Sequence, residues 1–257
     1  IEELGPGVTE FQVGDRVAYA SAPLGSYSEV RTFPIQNLVK IPDDISDDIA
    51  AAIMLKGMTA EYLIRRTYKV MPGQTVLFHA AAGGVGLIAC QWLKALGAKV
   101  IGTVGSHEKA ELAKANGCDH TILYKEENFV DKVKAITNGK GVPVVYDSVG
   151  KDTALQSLDC LSSLGLLVIF GNSSGNAPAI EPGLLATKGS LYVTRPTLFN
   201  YNDTREKLME SANQVFNMVR SGKVSIKIGA QYDLKDAVQA HKDLEARKTS
   251  GCIILRP

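Results

Sequence analysis

The run Ala80-Ala81-Ala82-Gly83-Gly84-Val85-Gly86 has the residue types and spacing needed to hold a pyrophosphate. In the pattern G-x-G-x-x-G, Ala81 stands at the first glycine position, Gly83 at the second and Gly86 at the third. The second glycine lets backbone N–H groups approach the phosphates, and the helix that follows stabilises their charge. The third lets that helix lie close on the preceding strand. A glycine-rich turn alone says little. Here the loop lies between a predicted strand and a predicted helix, which is the context a dinucleotide needs.

The corner that distinguishes NADH from NADPH comes about twenty residues later, at the end of the second strand. That strand ends Thr103-Val104-Gly105-Ser106, with no Asp or Glu at its tip; Glu108 lies in the following helix. A carboxylate there would hold a ribose 2′-hydroxyl and repel a 2′-phosphate. The Ser106 hydroxyl and the Lys109 cation instead favour the phosphate; the bland alternative is a solvated helix lysine, but the missing acid and the present lysine agree, so NADPH is expected.

Metal chemistry has no comparable signature. Cys90, Cys118, Cys160 and Cys252 show no C-x-x-C spacing, and His79, His107, His120 and His241 are scattered. No metal site is expected. The cysteines read as reduced, buried thiols of a cytoplasmic protein. His79, at the strand end before the loop, reads as a packed residue rather than a base, and no catalytic residue is identified.

The elements that must position these groups follow a clear rhythm. Strands are predicted over 75–79, 99–104, 120–124, 142–147, 164–170 and 190–194, with helices over 85–96, 107–116, 129–137 and 153–161. Short apolar strands alternating with helices specify an α/β fold with a doubly wound parallel sheet covered on both faces. Residues 1 to about 40 are β-rich, with strands near 16–19, 26–30 and 38–41. A helix, or a broken pair of helices, starts at Ser46 and runs to about Arg66. The tail predicts a helix over 205–220, a strand over 224–228, a helix over 234–246 and a strand over 252–255. The expected domains are 1–60, 61–196 and 197–257, the last returning to the first.

Six segments carry a family resemblance: Phe78-His79-Ala80-Ala81-Ala82-Gly83-Gly84-Val85-Gly86-Leu87, Gly14-Asp15-Arg16-Val17, Leu55-Lys56-Gly57-Met58-Thr59, Val145-Tyr146-Asp147-Ser148-Val149-Gly150, Phe170-Gly171-Asn172-Ser173-Ser174-Gly175, and Gly189 through Pro196. Together they resemble the quinone oxidoreductase (zeta-crystallin-like) branch of the zinc-free medium-chain dehydrogenases/reductases. The resemblance implies a Rossmann domain and a β-rich, GroES-like catalytic domain with the cofactor in the cleft between them. That catalytic domain normally begins upstream of Ile1, so it is expected to be incomplete here.

Carried over by position, Gly83, Gly84, Val85 and Gly86 hold the pyrophosphate, and Ser106, Lys109 and Tyr124 surround the 2′-phosphate. Thr59, Phe170, Asn172 and Ser173 approach the nicotinamide and its ribose, and Arg247 also contacts the cofactor. Tyr124, Asn172 and Arg247 rest on the resemblance alone.

The expected function is metal-free transfer of reducing equivalents from NADPH to a quinone. An NADPH-dependent enone or enoyl reductase is the enzymatic alternative. A nucleic-acid-binding role and a crystallin-type structural role are the non-enzymatic ones. A net charge of +1 with dispersed Lys and Arg argues against nucleic acid. No run of eighteen apolar residues suggests a membrane span. The strand over 190–194 reads as a sheet edge, and in the family this segment pairs with its symmetry mate, so a homodimer is expected.

Overall fold

A computed structural model describes every residue except Ser21, Ala22, Arg247 and Ser250. The chain forms two compact units: Ile1–Thr59 with Phe199–Pro257, and Ala60–Leu198.

In the first unit, β1 (Val17–Ala18) and β2 (Val39–Lys40) pair antiparallel. The Arg16 guanidinium donates to the Ile45 carbonyl at 2.6 Å and to the Asp47 carboxylate at 2.6 and 2.9 Å, tying this pair to the start of α1 (Asp47–Tyr62). The helix begins where the sequence predicts. Ser46 Oγ accepts from the Ile49 N–H at 3.3 Å, and Asp47 and Asp48 face the positive end of the helix dipole. A π-helical turn, Leu63–Thr67, continues it.

The strand expected over 26–30 does not form. The Arg31 guanidinium donates to the Pro23 and Leu24 carbonyls at 3.0 Å each and closes a loop, leaving Tyr27 and Val30 exposed. Alternation selects a face, but a strand also needs a ladder partner, and none pairs with it among the described residues.

The second unit contains β3 (Thr75–Phe78), α2 (Gly84–Ala95), β4 (Lys99–Val104), α3 (His107–Ala115), β5 (His120–Leu123), α4 (Phe129–Ile136), β6 (Val142–Asp147), α5 (Ala154–Ser157), β7 (Leu161–Ile169), α6 (Pro182–Thr187) and β8 (Tyr192–Thr194). Among the described residues its sheet has six strands in the order β5-β4-β3-β6-β7-β8, with every pairing parallel. Val76, Leu77, Val100, Ile101, Val144, Val145, Leu167 and Val168 are fully buried, as strands covered on both faces require.

The helix expected over 153–161 is shorter, because a 3₁₀ turn, Leu158–Cys160, leads directly into β7. That strand starts early and carries a bulge. Val142 opposes Leu161, yet Val144 opposes Leu166, and Leu164 takes a left-handed φ of 59° to accommodate the extra residues.

The chain returns to the first unit through α7 (Leu198–Tyr201), followed by α8 (Arg205–Arg220), β9 (Ile228–Asp233), α9 (Ala237–Glu245) and β10 (Cys252–Arg256). A Cβ at Gly57 would meet Val215 Cγ1 at 2.6 Å, so glycine is what lets α1 and α8 pack this closely. The strand expected over 224–228 is displaced. β9 pairs parallel with β10, and that ladder opens where the Cys252 N–H donates to the Lys227 carbonyl at 2.8 Å. The helix expected over 234–246 opens as a 3₁₀ turn, Leu234–Asp236. All four cysteines are buried free thiols, with Cys90 and Cys118 sulfurs 3.5 Å apart.

Candidate nucleotide site

The loops at the carboxyl ends of β3, β4, β5, β6 and β7 converge on one edge of the sheet, where open α/β sheets place their ligands. After β3, Ala80 adopts φ 53°, turning its carbonyl back to accept the Gly83 N–H at 2.8 Å. This conformation costs about 1–3 kcal/mol for a residue with a Cβ. It is held on both sides, by the His79 N–H on the Tyr146 carbonyl (2.9 Å) and the Ala81 N–H on the Thr103 carbonyl (3.1 Å).

Gly83 then caps α2 with no side chain. The first-turn N–H groups at Gly84, Val85 and Gly86 therefore point out of the helix without an intrahelical carbonyl. A Cβ on Gly86 would lie 2.5 Å from the Ala80 oxygen and 2.6 Å from the Ala81 oxygen. Only glycine allows the helix to start this close to the strand. The result is a bare, positively polarised helix end fitted to a phosphate group.

At the end of β4, Ser106 caps α3 by accepting the Lys109 N–H at 3.4 Å. The cap fixes the first turn of α3 and so the start of the Lys109 side chain beside the hydroxyl. Tyr124 follows β5, and its N–H donates to the Val104 carbonyl at 3.3 Å. Its hydroxyl lies over Gly105, where an added Cβ would meet it at 3.0 Å. Ser106 and Lys109 at the start of α3 and Tyr124 after β5 thus flank Gly105 next to the glycine loop, with no acid at the tip of β4 itself, while Glu126 lies 3.5 Å from the neighbouring His107 Nε2.

Phe170, Asn172 and Ser173 lie on the loop after β7. This loop is pinned to the loop after β6 by main-chain hydrogen bonds: Ser173 N–H to the Ser148 carbonyl (3.1 Å), Ser174 N–H to the Val149 carbonyl (2.9 Å) and Lys151 N–H to the Gly175 carbonyl (3.0 Å). The Phe170 ring packs 5.7 Å from that of Phe78, while Asn172 and Ser173 are exposed, with Asn172 Nδ2 on Asn176 Oδ1 at 3.1 Å.

A buried polar network lies beneath these loops. His79 Nδ1 is 2.9 Å from the Thr103 hydroxyl, and its Nε2 is 2.9 Å from the Ser157 hydroxyl. Ser157 and Thr153 donate to Asp147 Oδ2 at 3.4 and 2.7 Å, while Val149 and Gly150 N–H groups donate to Oδ1 at 2.7 and 3.0 Å. Burial holds the His79 imidazole below its usual pKa of 6.5, with the Asp147 carboxylate partly opposing this. His79 is therefore a neutral packing residue. Sequence reasoning missed the Asp147 anchor; a lone acid closing the apolar run Val144-Val145-Tyr146 was the available signal. The nearby Tyr146 hydroxyl is buried without a partner, and burial pushes its pKa well up.

Thr59 belongs to the first unit, on α1, with its hydroxyl donating to the Leu55 carbonyl at 2.7 Å. Arg247 lies outside the described residues. Among the described residues, no three His, Cys, Asp or Glu side chains converge to hold a metal ion. The donor set does not fit a structural or catalytic zinc ion.

The strand order and the glycine loop define a Rossmann-type dinucleotide-binding unit. Residues 84–214 match the family described as zinc-binding dehydrogenase. The chain is 53% identical over 257 residues to a quinone oxidoreductase of Pseudomonas aeruginosa, covering all of this chain and 79% of that one. It is 47% identical over 260 residues to a 2-haloacrylate reductase of a Burkholderia species, covering all of this chain and 78% of that protein. The crystal structure of Escherichia coli quinone oxidoreductase complexed with NADPH superposes with a TM-score of 0.97 at 51% identity, over the whole of this chain and 79% of that one. The chain belongs to the quinone oxidoreductase branch of the zinc-binding dehydrogenase family.

Proposed function

We propose that this protein binds NADPH along the carboxyl edge of its parallel sheet and passes the reducing equivalents to a quinone without a metal ion. When bound, NADPH supplies a hydride from its reduced nicotinamide ring. The observation that carries the reading is the pairing of the bare α2 N-terminus with the Ser106–Lys109–Tyr124 corner. One suits a pyrophosphate, and the other suits a second phosphate where a carboxylate would be repulsive.

In this reading the N–H groups of Gly84, Val85 and Gly86 hold the pyrophosphate, with Gly83 leaving room for it. Lys109 neutralises the 2′-phosphate, assisted by the Ser106 and Tyr124 hydroxyls. Phe170, Asn172 and Ser173 orient the nicotinamide end on a loop fixed by main-chain bonds, and Thr59 and Arg247 complete the contacts. The Thr59 hydroxyl already donates to Leu55, so it is left to accept from a carboxamide N–H. A quinone is electrophilic enough to take a hydride without a Lewis acid, so juxtaposition is the main requirement. The E. coli relative solved with NADPH and the quinone oxidoreductase names of the relatives support this assignment. The test is steady-state oxidation of NADPH with p-benzoquinone, alongside dissociation constants for NADPH and NADH. Equal affinity for the two nucleotides would overturn the cofactor assignment.

The Burkholderia relative, named for reduction of a 2-haloacrylate, supports a second reading in which the acceptor is an activated C=C bond. A parallel assay with an acrylate or alkenal separates the two. We also place the protein in a reducing compartment such as the cytoplasm, on its four free thiols, and propose a C2 homodimer joined along β8.

A further inference from the structure

Asp147 ends β6 fully buried, and four donors converge on its carboxylate. Oδ1 accepts the Val149 and Gly150 N–H groups at 2.7 and 3.0 Å, and Oδ2 accepts the Thr153 and Ser157 hydroxyls at 2.7 and 3.4 Å. The two N–H groups belong to the second and third residues after it, so the side chain folds the main chain back on itself as an Asx turn. The hydroxyls come from the far side of that turn, Thr153 at the cap of α5 and Ser157 at its last residue. Residues 148–153 therefore wrap a single acceptor from both ends.

The loop after β7 takes its position from the same residues. The Phe170 N–H donates to the Asp147 main-chain carbonyl at 2.8 Å, the Ser173 N–H to the Ser148 carbonyl at 3.1 Å and the Ser174 N–H to the Val149 carbonyl at 2.9 Å. The Ser174 hydroxyl adds a second bond to the Val149 carbonyl at 2.8 Å. A carboxylate that sets the path of 148–150 thus also sets where 170–174 run. The pyrophosphate loop is held separately, by main-chain bonds from the His79 N–H to the Tyr146 carbonyl and from the Ala81 N–H to the Thr103 carbonyl.

Asparagine is a poor substitute at this position. Its NH2 would face the two hydroxyls, which must turn to accept it, and Ser157 also contacts His79 Nε2 at 2.9 Å. No water reaches the site to replace a lost partner, so the turn has to shift.

We propose that Asp147 is a positioning residue for the nicotinamide end of NADPH, acting through residues 148–150 on Phe170, Asn172 and Ser173 without touching the cofactor. This assignment rests on the NADPH reading, in which those three residues meet the nicotinamide.

The test compares NADPH with 2′,5′-ADP, which keeps the adenosine and its 2′-phosphate but lacks the nicotinamide. Asp147→Asn should weaken NADPH binding by about tenfold and return the emission of the bound nicotinamide towards that of free NADPH, while the affinity for 2′,5′-ADP stays within about twofold of the parent. Thr153→Val, which removes one hydroxyl at nearly constant shape, should act in the same direction, and Thr153→Ser should restore the parent values. Melting curves establish which variants are folded, and the Thr153 pair decides alone if Asp147→Asn is not. If the variants weaken NADPH and 2′,5′-ADP by the same factor, or weaken neither, the assignment is overturned. If NADPH binds the parent with the emission of the free nucleotide, the loop after β7 does not hold the ring, and the assignment falls while NADPH binding stands. If the parent binds neither ligand, the NADPH reading falls and takes the assignment with it.

Discussion

His79 Nε2 lies 2.9 Å from the Ser157 hydroxyl, which links the end of β3 to α5 beneath the nucleotide loops. The second ring nitrogen is engaged equally closely by Thr103 on β4, so a histidine with no exposed surface has both nitrogens partnered. Since the Ser157 hydroxyl gives its proton to Asp147, it accepts from the ring's Nε2–H, and the Thr103 hydroxyl is left to donate to Nδ1 of the neutral ring.

Acid should therefore destabilise this protein over a defined range. Burial lowers the folded His79 pKa below 6.5. Above that value the imidazole is neutral in both states and its contribution is complete. As pH falls below it, the unfolded chain takes up a proton that the folded chain resists, and stability declines until the folded pKa is reached. Melting temperature should fall as pH is lowered through about 6.5, and His79→Gln should melt lower at neutral pH with a shallower slope. A slope unchanged by the substitution would show that other groups set the acid limit.

Gly86 and Gly83 should differ when each is replaced by alanine. The Gly86 Cβ would collide with two main-chain oxygens that cannot rotate away, whereas the Gly83 Cβ meets only the Ala80 oxygen, at 3.1 Å. Gly86→Ala should cost about 1–3 kcal/mol of stability and most of the NADPH affinity. Gly83→Ala should keep the stability and lose affinity, as it has an ordinary φ of −77°. Thermal melts with and without nucleotide separate the two effects, and identical melts would count against the close helix start.

Cofactor preference should depend on Lys109 separately from helix capping. It is the Lys109 main-chain N–H that caps on Ser106, so truncating the side chain leaves the cap intact. Lys109→Ala should narrow the affinity gap between NADPH and NADH by about 1–2 kcal/mol at unchanged stability. Ser106→Ala should also cost about 1 kcal/mol of folding stability through the lost cap. Calorimetric titration of both nucleotides into each variant provides the check.

β8 lies at an edge of the sheet among the described residues, with Tyr192 60% exposed. Sedimentation at micromolar concentration should show a dimer, and Tyr192→Lys should shift it towards monomer, since a charge on an edge strand opposes strand pairing. A monomer in the parent protein would rule out the β8 interface.

Much of the sheet was legible because its strands are short apolar runs separated by glycines such as Gly97 and Gly117. The bounds of β4, β6 and α8 match those read from the sequence. Hydrophobic pattern alone missed what depends on a partner. Val224, Ile226 and Ile228 alternate like a strand, but β10 decides where the ladder begins. The bulge at Leu164 leaves no hydrophobic signal. At the site, the glycine loop and the Ser106–Lys109 pair could be read directly from residue types. The His79–Asp147 network could not, because its members are brought together only by the packing of three strands and a helix.

The loops after β6 and β7 are joined by main-chain hydrogen bonds and by the Ser174 hydroxyl, which donates to the Val149 carbonyl and accepts the Asp152 N–H, and Gly150 and Gly171 allow that closeness: a Cβ would meet the Gly175 oxygen at 2.5 Å on Gly150, or the Ser148 oxygen at 2.7 Å on Gly171. The rim of this site is thus a scaffold whose shape does not depend on the exposed side chains it displays. Asn172 and Ser173 can be exchanged for other polar residues without dismantling it, while the two glycines cannot. Adaptation to a new nucleotide or acceptor therefore has freely replaceable positions at the rim, above a rigid frame.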